Sequence, residues 1–147
     1  MATQNPAAPV ESSQKQRRPR ARGIGLVLVF VYGVLALAAT GRSFVQIARE
    51  FDDAPVAYSL SALAAVVYIV ATIALIAPGR IWYRVAWVTI SFELLGVLTV
   101  GTLSLTHPEL FAHASVWSWY GMGYLFVPLV LPVLGMLWLY RTRRSQA

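Results

Sequence analysis

Glu93 lies in the middle of the apolar run 85–105 and is the only acidic residue within the four long hydrophobic segments of this 147-residue chain. A carboxyl group at that depth in a bilayer costs several kcal/mol, roughly 2.5–3.5 on insertion scales, unless it is neutralised or paired. Its available chemistry is to carry a proton, to bind a cation, or to hydrogen-bond between helices. On the face of Glu93 the third hydrophobic segment carries Ala86, Thr89, Gly96, Val100 and Ser104, with Gly101 close by. This small, polar stripe is expected to face protein, because small residues let helices approach closely. Two tyrosines fall at a matching depth. Counted at 1.5 Å per residue from the basic end of each segment, Tyr32, Tyr68 and Glu93 lie within about 3–5 Å of one level. Their hydroxyls can donate to a carboxylate. Arg84 is about 13 Å away along the helix, and no cation is nearer. Glu93 is therefore expected to hold its proton and to bond Tyr32, Tyr68 or both, with Thr89 completing the cluster. Pro128 and Pro132 lie at neighbouring depths in the fourth segment. Each frees a carbonyl four residues back, and the pair is expected to kink that helix.

Other chemistry finds little support in the sequence. Cysteine is absent, which removes disulfides, thiolate metal sites and thiol redox chemistry. His107 and His113 are the only histidines, and both fall outside the hydrophobic segments. Six residues apart, they do not share a helix face, and only Glu109 joins them. No catalytic constellation, cofactor site or metal site is expected.

The elements that carry these residues are set by lipid. The chain is 58% hydrophobic and only 12% charged, with mean hydropathy +0.63. Soluble domains carry about 25% charged residues. Segments 23–41, 56–77, 85–105 and 122–140 are each long enough for a ~30 Å hydrocarbon core. Backbone amides in lipid must be satisfied within the segment, so all four are expected to be helices. The fold expected is an all-α membrane protein, an antiparallel up-down bundle of four transmembrane helices over residues 23–140. Residues 1–22 are expected to form a disordered basic tail and 141–147 a second basic tail. The first span also resembles a signal peptide, with Ala36, Leu37 and Ala38 at a cleavage-like site, but its length favours an uncleaved helix.

Charge sets the orientation. Ten of the twelve Lys and Arg residues flank one end of the bundle, among them Arg17, Arg18, Arg20, Arg22, Arg141, Arg143 and Arg144. The positive-inside rule places both termini in the cytoplasm of a multi-pass protein of the cell membrane. The same arginines are candidates to bind anionic lipid headgroups, at about 1 kcal/mol each. Nucleic acid is excluded as a partner, because no fold or stacking platform accompanies the charge.

Loop details follow from local signals. Helix one is expected to continue beyond the membrane through Phe44, Ile47 and Phe51. Asp53 is the expected cap of helix two, and Pro78-Gly79 the turn before helix three. Thr106 and Glu109 have capping-box spacing, which predicts a short helix on the membrane surface with Leu110, Phe111, Trp117 and Trp119 dipping into lipid. Tyr58 and Tyr120 are placed at the same interface.

From Arg22 to Tyr140 the segments RGIGLVLVFVYGVLALAATGRS, FDDAPVAYSLSALAAVVYIVAT, ELLGVLTVGTLSL and GYLFVPLVLPVLG resemble a group of small, uncharacterised actinobacterial integral membrane proteins. The resemblance implies family membership and a membrane location, and carries over no catalytic residue.

Function is expected to be non-enzymatic: an accessory or scaffold subunit of a cell-envelope membrane assembly, with a membrane-protein partner or a second copy of itself. The alternative is a small proton-coupled transporter acting as an oligomer, with Glu93 as its proton or cation site.

Overall fold

A computed structural model describes residues 23–146, with side chains through Arg143. The tail 1–22, with Arg17, Arg18, Arg20 and Arg22, and the side chain of Arg144 lie outside the described residues. Four α-helices form: α1 (Ile24–Glu50), α2 (Pro55–Ile76), α3 (Arg80–Thr106) and α4 (Val127–Gln146). Short 3-10 turns lie at Phe51–Asp53, Pro108–Phe111 and Ser118–Tyr124, and the described residues contain no strand. Helices α1–α3 are long and apolar enough to cross a membrane, and a fourth crossing results if Ser118–Tyr124 and α4 count as one bent span. Large apolar side chains turn outward along the helices, including Phe30 at 70% and Leu37 at 78% exposure. Water would not tolerate apolar faces of that extent, and lipid is their natural solvent.

Helix ends differ from the sequence reading in informative ways. Helix α1 runs nine residues past its apolar run, carrying Phe44 and Ile47 out on exposed faces. Ala54, not Asp53, occupies the N-cap of α2, and no side chain caps it. Pro55 takes the first helical position, where its missing amide costs nothing. Gly79, at φ 113°, makes the turn into α3 in a conformation that other residues rarely adopt.

The fourth column is where sequence and structure part most. The expected span 122–140 begins instead at Val127, and the preceding Ser118–Tyr124 turn meets it at 96°. Pro128 falls in the first turn of α4, so it starts that helix rather than kinking it, whereas Pro132 is inside the helix. Register along α3 is fixed by close contacts. Tyr83 Oη donates to the Leu139 carbonyl at 3.1 Å, and Gly135 packs on Ile90. Gly25 of α1 lies directly against the Trp138 indole, which brings the start of α1 and the end of α4 to the same end of the bundle. That register leaves α4 starting some 12–16 Å short of the far end of α3. The apolar part of α4 is about 21 Å long, less than a ~30 Å hydrocarbon core. Folded loop fills the rest of the column.

Candidate functional site

The loop enters the bundle instead of lying on its surface. Trp117 is 1% exposed and Phe111 4%. Trp117 sits on α3 at Gly96, where an added Cβ would lie 2.6 Å from the indole. Gly96 is about 15 Å below the end of α3. One and a half turns further up, Gly101 leaves room in the same way for the ring of Tyr120. The short helix expected here shrinks to the 3-10 turn Pro108–Phe111, which no side chain caps, and Phe111 and Trp117 turn inward rather than into lipid. Thr106 Oγ1 bonds back to the Thr102 carbonyl, while Glu109 pairs with His107 Nδ1 at 3.1 Å. Tyr58, expected at the interface, is fully buried, with His113 stacked on it at 6.0 Å.

Non-helical backbone inside a membrane bundle needs partners for its polar groups. Several are supplied by side chains. Ser61 of α2 accepts the Val116 amide at 3.2 Å, Ser118 Oγ accepts the Ser115 amide at 2.8 Å, and the two serine hydroxyls bond each other. Arg42 Nη2 of α1 donates to the Ala114 carbonyl at 2.6 Å, tying down the loop at the far end of the bundle. Four non-glycine residues there, Trp119, Tyr120, Leu125 and Phe126, have φ between 48° and 60°. Left-handed backbone costs such residues roughly 1–2 kcal/mol each, so this conformation is held by its contacts rather than by local preference.

Glu93 lies below Trp117, one turn of α3 from Gly96. It is fully buried, and Tyr32 of α1 donates to its Oε2 at 2.6 Å. Its other oxygen, Oε1, has no partner among the described residues. Tyr68 of α2 does not bond Glu93. Its hydroxyl instead accepts the Trp117 indole N–H at 2.8 Å, and its ring lies 6.3 Å from that of Tyr32. Thr89 also stands apart. It lines an outward groove on α3 with Ile81, Arg84, Val85 and Val88, because the helix turns that position away from the bundle axis. Of the polar stripe on α3, Ala86, Val100, Gly101 and Ser104 are buried. Helix α4 closes the site, with Gly135 placed so that a Cβ there would stand 3.7 Å from Tyr32 Oη.

The result is two buried hydrogen-bonded pairs, Trp117 with Tyr68 and Tyr32 with Glu93, which meet through the contact of the two tyrosine rings. Trp117 comes from the loop, Tyr68 from α2, Tyr32 from α1 and Glu93 from α3. Trp117 is the member that sequence reasoning missed. Small residues facing inward at Ser61, Gly96 and Gly101 carried the signal, since so much free volume in a bundle has to be filled from elsewhere. No three His, Cys, Asp or Glu side chains gather into a metal-ligand group among the described residues. At the exposed far end, Glu109 has its carboxyl held below the usual range by a hydrogen bond from its own amide and by His107.

Comparison with protein-family models, with curated proteins and with solved structures finds no match.

Proposed function

We propose that this protein is a non-enzymatic integral membrane subunit, an accessory or scaffold component of a cell-envelope assembly. In this reading it resides in the cell membrane with both termini cytoplasmic. The observation that supports it is the sealed bond between Tyr32 and Glu93. An acid that meets no solvent and is tied to a neighbouring helix acts as interhelical glue. Around that lock the bundle presents broad apolar faces. Between α1 and α2, Gly33 and Ala36 help form a shallow groove flanked by Phe30, Leu37 and Ile73. Such a surface suits a transmembrane helix of a partner or of a second copy. Arg141 and Arg143, exposed at the end of α4, suit anionic headgroups, and the arginines of residues 1–22 would add to that attraction. Purification of the tagged protein in mild detergent tests the reading. Stoichiometric membrane partners are expected, and a clean monomer with none would overturn it.

A second reading, a proton-coupled transporter acting as an oligomer, draws on a different observation: Glu93 Oε1 has no partner among the described residues although it is buried. Intramembrane acids commonly serve proton relays. Proton-driven flux in liposomes that is abolished by Glu93→Gln is its expected sign, and unchanged flux in that variant would remove it.

A further inference from the structure

Residues 112–126 belong to no α-helix, yet Ser115, Val116, Trp117, Ser118 and Gly121 are buried inside the bundle. Four side-chain bonds fasten them to the helices among the described residues: Arg42 to the Ala114 carbonyl, the Val116 amide to Ser61, the Trp117 indole to Tyr68, and the Tyr120 hydroxyl to Thr102. Each is a single bond to a side chain, and each can be replaced by water if the segment swings outward. Backbone preference favours release, because Trp119, Tyr120, Leu125 and Phe126 are left-handed in the folded-in state. The rings of Trp117 and Tyr120 rest on α3 at Gly96 and Gly101, where α3 has no side chain to hold them. Directly under Trp117 lie Tyr68, Tyr32 and Glu93, whose Oε1 has no partner among the described residues. Removing the indole would open the Tyr68 hydroxyl, and beside it the Tyr32–Glu93 pair, to the end of the bundle away from the start of α1.

We propose that residues 112–126 form a lid over an exchangeable proton on Glu93, with Trp117 as its plug. This rests on the second reading given above. Folded in, the lid excludes water from Glu93. Folded out, it lets water reach Tyr68 and Tyr32, and a proton leaves the Glu93 carboxyl as another arrives from solvent. Charge is unchanged by each exchange. Tyr32 stays bonded to Glu93 throughout, so opening the lid leaves the helix contacts at the lock in place.

Hydrogen–deuterium exchange of the Glu93 carboxyl, followed by its infrared C=O stretch in lipid nanodiscs, tests the lid. Glu93→Gln identifies the band. Because the chain has no cysteine, the double variant Ser61→Cys, Val116→Cys can tie the lid to α2 by one disulfide, reversible with reductant. The oxidised form is expected to exchange about tenfold more slowly than the same protein reduced, since local opening controls access to buried groups. Trp117→Ala is expected to exchange faster than the parent chain. Equal rates in the oxidised and reduced forms overturn the lid while leaving the second reading standing. Absence of any protonated Glu93 band overturns the second reading and the lid with it.

Discussion

Trp117 donates its indole N–H to the hydroxyl of Tyr68 at 2.8 Å, joining the loop before α4 to the middle of α2. That bond changes the meaning of the whole segment 107–126. Phe111 and Trp117 are buried packing for the fourth column rather than anchors at a membrane surface.

Glycine positions report this packing. Gly96→Ala puts a Cβ into the Trp117 indole, and Gly101→Ala puts one into the ring of Tyr120. Gly33 faces open space, with its nearest neighbour, the Thr72 methyl, 4.0 Å away. Overpacking costs roughly 1–3 kcal/mol. Gly96→Ala and Gly101→Ala are expected to lower unfolding stability by about that much, and Gly33→Ala to leave it within about 0.5 kcal/mol. Unfolding of the three variants in one detergent or bilayer system is the measurement. Equal effects at 33 and 96 would place the loop elsewhere.

The indole hydrogen bond can be separated from the packing. Trp117→Phe keeps a ring on Gly96 and removes the donor, at an expected cost of about 0.5–1.5 kcal/mol for the bond plus the loss of ring volume. Tyr68→Phe removes the acceptor. The double variant should be less destabilised than the sum of the two, because the bond is lost only once. Full additivity would show that the bond contributes nothing.

Solvent access along the loop offers a third check. Single cysteines can be placed in the cysteine-free chain and probed with a membrane-impermeant thiol reagent. Ala112→Cys and His113→Cys are exposed positions and are expected to label, whereas Ser118→Cys is buried and is expected to resist. A surface helix of the kind read from the sequence would expose residues 117–119 at an interface and label 118 comparably.

At the far end of the bundle, Glu109 gives a pH signature. Its carboxyl is held low by its own amide and by His107. A group with a depressed value in the folded state contributes stability above its ordinary value and loses it as pH falls through the lowered one. NMR titration should therefore place Glu109 below an ordinary glutamate. His107→Ala should move the midpoint up part of the way, since the amide bond remains. A midpoint at the ordinary value in the parent chain would remove this local structure.

How much of this was legible beforehand depended on what the chain lets one count. Apolar length gave α1, α2 and α3, because lipid leaves helices as the only open-chain solution. Counting residues from the basic end gave Tyr32 and Glu93 the same level, and their side chains meet there. The same count put Tyr68 at that level but could not show that a loop residue would take its hydroxyl. Thr89 was placed in the cluster because it is four residues from Glu93, yet only part of a helix face turns inward, and that part is set by neighbours. The aromatic loop was misread because Trp and Tyr favour both membrane interfaces and buried sites with a hydrogen-bond acceptor. Composition does not separate the two. The shortness of α4 was concealed by Leu125 and Phe126, which extend the apolar run without extending the helix.

The central claim is that Glu93 and Tyr32 lock α3 to α1 inside the bundle. A double-mutant cycle with Tyr32→Phe and Glu93→Leu, measured by reversible unfolding in a bilayer mimic, tests it most directly. Each single change leaves a buried polar group without its partner and should cost about 1–3 kcal/mol. The double change should cost less than their sum by about 0.6–1.7 kcal/mol, the range of interhelical hydrogen bonds in membranes. A coupling energy of zero, with the two losses simply adding, would contradict the lock and the scaffold reading built on it.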